Sequence, residues 1–109
     1  MKGWLDLDTA LARLTPSQAE RSVELFRHGT LQVKLYAPLG TDPQQPHTRD
    51  EVYVVARGRG MFYDGERRLP FAPGALLFAA AGRPHRFEDF TADFATWVLF
   101  YGPEGGEQT

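Results

Sequence analysis

From about residue 19 to residue 101 the chain is punctuated by Gly, Pro and Asp every 8–12 residues or so, with short runs rich in Val, Leu, Phe and Tyr between the marks. Runs that short fall below the length of an ordinary helix and match that of an ordinary strand. The spacing therefore predicts an all-β sandwich or barrel. The stretch "RSVELFRHGTLQVKLYAP" predicts two strands joined at His28-Gly29, with Leu31, Val33 and Leu35 turned to the core and Gln32 and Lys34 to water. "EVYVVARGRGMFYDGERRLPF" predicts strands at 51–57, 60–64 and 66–70, joined by the Gly58-Arg59-Gly60 and Asp64-Gly65 turns. Pro73-Gly74 then leads into a buried run from Ala75 to Phe78, and Gly82-Arg83-Pro84 into a strand beginning at His85. "FATWVLFY" is apolar on nearly both faces, as a central strand would be.

Ahead of the strands, "DTALARL" at 8–14 predicts a short helix with Asp8 as N-cap and Leu11 and Leu14 on one side. The chain thus divides into a helical segment at 1–18, one β domain at 19–102 and a flexible tail at 103–109, a length suited to a single core. The net charge is −2 and Lys and Arg are scattered, so the basic stripe that nucleic-acid binding needs is missing. Without cysteine, any metal must be held by nitrogen and oxygen alone. Asp6 and Asp8 interrupt what a signal peptide would keep apolar, and no window approaches the roughly 18 apolar residues of a membrane span, so the cytoplasm is expected and a membrane partner is not.

The candidate chemistry starts in "PQQPHTRDEVYVVARGRG", residues 43–60. On extended backbone, residues two and four apart share a side, so Gln45, His47 and Glu51 would project into one space. An imidazole, a carboxylate and an amide oxygen form a partial shell for a divalent ion, and His85 is the candidate for the further nitrogen. Tyr53, Phe62 and Trp97 are candidates for the apolar wall of a ligand pocket, although aromatic residues at alternating strand positions also serve as plain core. Arg83, next to His85, could meet a substrate anion; like Arg49 it also reads as a solvated loop arginine. His28, in a turn, reads as surface.

These residues carry a resemblance to the small single-domain cupins. The first cupin motif, Gly-x5-His-x-His-x3–4-Glu-x6-Gly, is similar to Gln45-x-His47-x3-Glu51-x6-Gly58 here. The second, Gly-x5-Pro-x-Gly-x2-His-x3-Asn, is similar to Gly74-x5-Ala80-x-Gly82-x2-His85-x3-Asp89. The likeness covers residues 30–101. It departs at Gln45, where the family has its first histidine, and at Ala80 and Asp89. The resemblance implies a single jelly-roll β-barrel with a metal held by His47, Glu51 and His85, and Gln45 as a fourth candidate; Gln-for-His shells occur in the cupins that isomerise mannose phosphate.

Two histidines and one carboxylate leave positions open and suit Fe, Mn, Ni or Zn. The net positive shell favours an anionic or chelating oxygen ligand, so a small molecule is the expected partner. Oxygenase and isomerase chemistries both occur on this fold. A noncatalytic binding or sensing cupin, with or without metal, and a degenerate cupin kept as a structural dimer are the rival readings. The resemblance also implies a homodimer, paired through the aromatic strand near the carboxyl end.

Overall fold

The punctuated pattern folds into two facing antiparallel sheets. The structure, a computed structural model, describes residues 3–15 and 20–108. Its strands are β1 (Ser22–His28), β2 (Leu31–Tyr36), β3 (Asp50–Arg57), β4 (Gly60–Tyr63), β5 (Arg68–Phe71), β6 (Leu76–Ala79), β7 (Arg86–Glu88) and β8 (Ala95–Tyr101). One sheet has the order β1-β2-β8-β3-β6 and the other β5-β4-β7. β8 lies between β2 and β3, which explains why both of its faces are apolar. Gly58 makes the tight turn from β3 to β4 with φ +92°, where an added Cβ would sit 2.6 Å from the Phe94 Cα. Glycine alone fits there.

The core fills the space between the sheets. Tyr53, Val55 and Val98 from the larger sheet meet Phe62, Phe71 and Phe87 from the smaller one, with Phe94 added from the segment before β8. Phe87 sits at the centre, its ring centroid 4.8 Å from Tyr53, 5.2 Å from Phe62 and 4.7 Å from Phe94. Burying a ring of this kind contributes about 1.5–3 kcal/mol, and the tilted and edge-on contacts suit the aromatic quadrupole.

A second, smaller cluster lies on the outer face of the five-stranded sheet. Leu25, Val33 and Leu35 pack there with Trp97 and Leu99 beneath helix α1 (Leu7–Ala12), whose Ala10 is fully buried. The helix is shorter than expected, and its N-cap is Asp6, not Asp8. The Asp6 carboxylate accepts the Thr9 N–H at 2.9 Å, the reach a capping side chain needs; Asp8 falls inside the first turn. Among the described residues no helix is long and apolar enough to cross a membrane.

Four expectations change. Leu76 and Phe78, placed in a buried run, are 71% and 53% exposed, because β6 is the outer edge of its sheet. Gln32 and Lys34 on β2 are half-buried and line the mouth between the sheets instead of facing open water. β8 offers no free edge for pairing two copies; the edges of that sheet are β1 and β6. The segment after β8, expected to be loose, folds back on the barrel: Gly102 N donates to Thr30 Oγ1 (3.1 Å), Gly105 N to the Thr48 carbonyl (2.7 Å) and Glu107 N to Asp50 Oδ2 (2.7 Å).

Candidate metal centre

Glu51 lies on the inward face of β3, with Phe100 of β8 beside it on one side and Ala79 of β6 on the other. That position leaves it 1% exposed. His85 closes the turn between β6 and β7 and is also buried. Its Nδ1 lies 3.0 Å from the Arg83 carbonyl, so Nδ1–H donates there and Nε2 presents its lone pair to the interior. His47 arrives on the loop before β3. The Gly82 N–H holds that loop against the β6–β7 turn by donating to the His47 carbonyl at 2.7 Å. One backbone hydrogen bond thus brings the two histidine-bearing segments together.

The ligand atoms of the three side chains all lie within 4.8 Å of one another. His85 Nε2 is 3.2 Å from Glu51 Oε1, and His47 Nε2 is 3.9 Å from the same oxygen. The closer pair lacks the alignment of a hydrogen bond, and both Glu51 Oε1 and His85 Nε2 are buried without a hydrogen-bond partner. Leaving such a group unpaired costs about 1–3 kcal/mol. Donors bound about 2.1 Å from a shared ion stand roughly 3–3.5 Å apart, a spacing that His85 and Glu51 have and that His47 reaches by closing on Glu51 by under about 1 Å. The donor set fits a divalent ion better than it fits a satisfied polar core.

Electrostatics divides the two histidines. Burial holds the His47 pKa below the ordinary imidazole value; Glu51 opposes this, and charge on His85 and Lys34 reinforces it. Burial also works against a proton on His85, but Glu51 and the Arg83 carbonyl outweigh it and raise that pKa. The two histidines thus differ in how firmly each holds a proton, and each must be neutral at its ligating nitrogen to bind a cation.

The amide at the site is Gln44, not Gln45. Gln44 Nε2 donates to Asp42 Oδ2 at 2.6 Å, which turns Oε1 toward His47 Nε2 at 3.1 Å and the Tyr53 hydroxyl at 3.3 Å. Gln45 is exposed on the cavity rim. Asp42 is buried and also accepts the Tyr36 hydroxyl and the Phe87 N–H, the latter at 2.8 Å. Neither Asp42 nor Gln44 was singled out from the sequence. The available signal was "DPQ", because an aspartate ahead of proline commonly bonds the backbone two residues on, as Asp42 Oδ1 does with Gln44 N at 3.3 Å.

Residues 33–100 match the family profile of the Cupin_2 cupin domain. The chain belongs to the cupin family. An uncharacterized protein of Streptomyces coelicolor is 35% identical over 84% of this cupin and 95% of its own length. A solved structure from Thermus thermophilus is 30% identical, covers 92% of this chain and 98% of that one, and superposes with a TM-score of 0.67. A chain from the crystal structures of the DMSP lyases RdDddP and RnDddQII is 28% identical over 68% of this cupin, with a TM-score of 0.58. This cupin spans 40% of that longer chain.

Beside the three ligand atoms the cupin has a cavity of about 300 Å³, lined by Ser22, Lys34, Tyr36, Gln44 and Phe100 among others. Tyr53 and Phe62 stand close to the centre, their rings 6.0 and 6.4 Å from that of His85, but both are core residues, 0% and 1% exposed. Trp97 lies on the opposite face of β8, packed in the cluster under α1, because Thr96, Val98 and Phe100 take the inward positions. Arg83 is exposed and points away, its guanidinium on the Asp64 carbonyl at 3.2 Å. Arg49 ties the Gly102 and Thr30 carbonyls together, and His28 is exposed as expected.

Proposed function

We propose that this cupin holds one divalent ion, Fe, Mn, Ni or Zn, on His47, Glu51 and His85, and takes a small oxygen-rich ligand in the adjoining cavity. The observation that carries the reading is the pair of buried atoms, Glu51 Oε1 and His85 Nε2, that converge without a hydrogen-bond partner. Asp42 and Gln44 support it by fixing an amide oxygen beside His47. Such an ion would supply Lewis-acid polarisation of bound oxygen, the chemistry that oxygenase and isomerase readings share. The side chains around it orient the ligand and keep water out: Phe100 and Val98 form the apolar wall, and the Gln44 amide presents oxygen.

A binding or sensing role has its own supporting observation. The buried hydroxyls at the site belong to Tyr36 and Tyr53. Burial drives both phenol pKa values up, helped by the Asp42 carboxylate at Tyr36 and by Glu51 at Tyr53. Both phenols stay protonated and position neighbours instead of moving protons.

The test is the metal content of the purified, untagged protein by elemental analysis. Near one ion per chain in the wild type, with none in a folded His47→Ala/His85→Ala variant, is the expected result. No bound ion and no uptake on reconstitution with Fe, Mn, Ni or Zn would overturn the proposal in favour of a metal-free binding barrel or a degenerate one.

A further inference from the structure

Lys34 stands on the inward face of β2, in register with Val98 of β8, and lines the same cavity as His47 and Glu51. A lysine on a strand ordinarily carries its ammonium out to water. This one is half-buried between Gln32 and Tyr36 on the covered side of the sheet. Its cross-strand neighbour Glu24 feels its charge but makes no direct contact with it, that carboxylate taking Arg27 Nε and Gln32 Nε2, each at 2.7 Å. Among the described residues the ammonium has no ion pair or hydrogen bond, and it is the one lysine or arginine lining the cavity.

The register sets the scale. Glu51 on β3 pairs with Phe100, and Lys34 on β2 pairs with Val98, so the two backbones are separated by the width of β8 and by two residues along it. That amounts to roughly 10 Å across the sheet and roughly 7 Å along it, before both side chains reach inward. A single carboxylate cannot serve both positions. The cavity of about 300 Å³ holds about ten water volumes, room for a molecule of short chain. Ser22, across the ladder from Tyr36, adds a hydroxyl to the Lys34 wall; Glu20 is the one acidic residue there apart from Glu51, and it is exposed at the rim.

We infer that Lys34 is the specificity residue of this cavity and that the ligand is a short hydroxy- or oxo-acid with a second carboxylate: chelating oxygens toward His47, Glu51 and His85, the remote carboxylate on the Lys34 ammonium. The inference rests on the metal reading above. A ligand with the chelating end alone would leave Lys34 unpaired, whereas one with both ends matches each charge in the cavity.

The experiment uses protein reconstituted with Mn(II), its loading checked by elemental analysis, and compares L-malate with L-lactate by calorimetric titration. Both carry the 2-hydroxy acid; malate alone has the second carboxylate. Wild type should bind malate about ten-fold more tightly, the effect of one partly screened ion pair. Lys34→Met, which keeps most of the stem, should erase that preference in protein that is still folded and Mn(II)-loaded; Lys34→Arg should keep it. Equal affinities in the loaded wild type, or a malate preference that survives Lys34→Met, would sink the Lys34 assignment and leave the metal centre standing. Failure to load Mn(II) or any other divalent ion would remove the centre and the inference together.

Discussion

The space between the two sheets has two ends of opposite character. At one end Phe62, Phe71, Phe87 and Phe94 pack ring against ring, none more than 4% exposed. At the other, Glu51 and His85 are equally buried, yet each keeps a polar atom without a partner. β3 serves both ends, giving Glu51 to one and Tyr53 and Val55 to the other, and Tyr53 joins them, its ring against Phe87 and its hydroxyl on Gln44. Stability is concentrated where nothing binds. The other end can then tolerate unpaired groups that a uniform core would exclude.

The largest expected effect is on the aromatic end. Phe87→Ala should cost about 3–5 kcal/mol in urea unfolding, since it opens a cavity at the meeting point of four rings. The His47→Ala/His85→Ala variant should lose metal but remain folded, with a far smaller change in the metal-free protein. If the double variant proved the less stable of the two without metal, the division between a structural end and a binding end would be wrong.

How far the sequence reveals this division depends on which rule applies where. Strand positions are legible because glycine and proline turns mark their ends, and the inward placement of Glu51 follows from a period of two along a paired strand. His85 is legible because a tight turn fixes it just ahead of β7. Trp97 is not, because a central strand is apolar on both faces and nothing local says which face meets the second sheet. Phe78 is misleading for a related reason: an apolar run in a strand looks the same at a sheet edge as at its centre, and only the strand order decides its exposure. The loop before β3 belongs to no ladder, so the alternation that pointed to Gln45 does not hold there, with Pro43 and Pro46 bending the path.

A pH series sharpens the contrast, because the four phenylalanines of the aromatic end do not titrate while the two histidines of the polar end act in opposite directions. His47 has a folded pKa below the ordinary imidazole value of 6.5, so the unfolded chain takes up a proton first, and the metal-free protein loses stability as pH falls below 6.5. His85 has a folded pKa above 6.5; its proton stabilises the fold below that pH, and the contribution is lost as pH rises through the folded value. From these two groups the metal-free protein should be most stable near pH 6.5. Denaturant titrations should show His47→Ala flattening the acid side and Glu51→Gln, which removes the charge holding the His85 proton, flattening the alkaline side. A metal-free curve that simply rises through neutral pH would show that Glu51 does not hold that proton.

The smallest effect separates two adjacent glutamines. The Asp42 carboxylate fixes the Gln44 amide at 2.6 Å with its oxygen toward His47, whereas Gln45 is exposed at the rim. Removing a group that orients or joins a metal shell typically costs 10–100-fold in affinity, and a partly solvated amide belongs near the low end, about ten-fold. Gln44→Ala should therefore weaken Mn(II) binding about ten-fold in a competition assay against a chelator, and Gln45→Ala should leave it unchanged. Asp42→Asn should follow Gln44→Ala, because the amide then loses its charged anchor and turns freely. The reverse ranking of the two glutamines would mean that the position given by motif spacing, Gln45, joins the shell when the ion binds, and that the loop rearranges to bring it there.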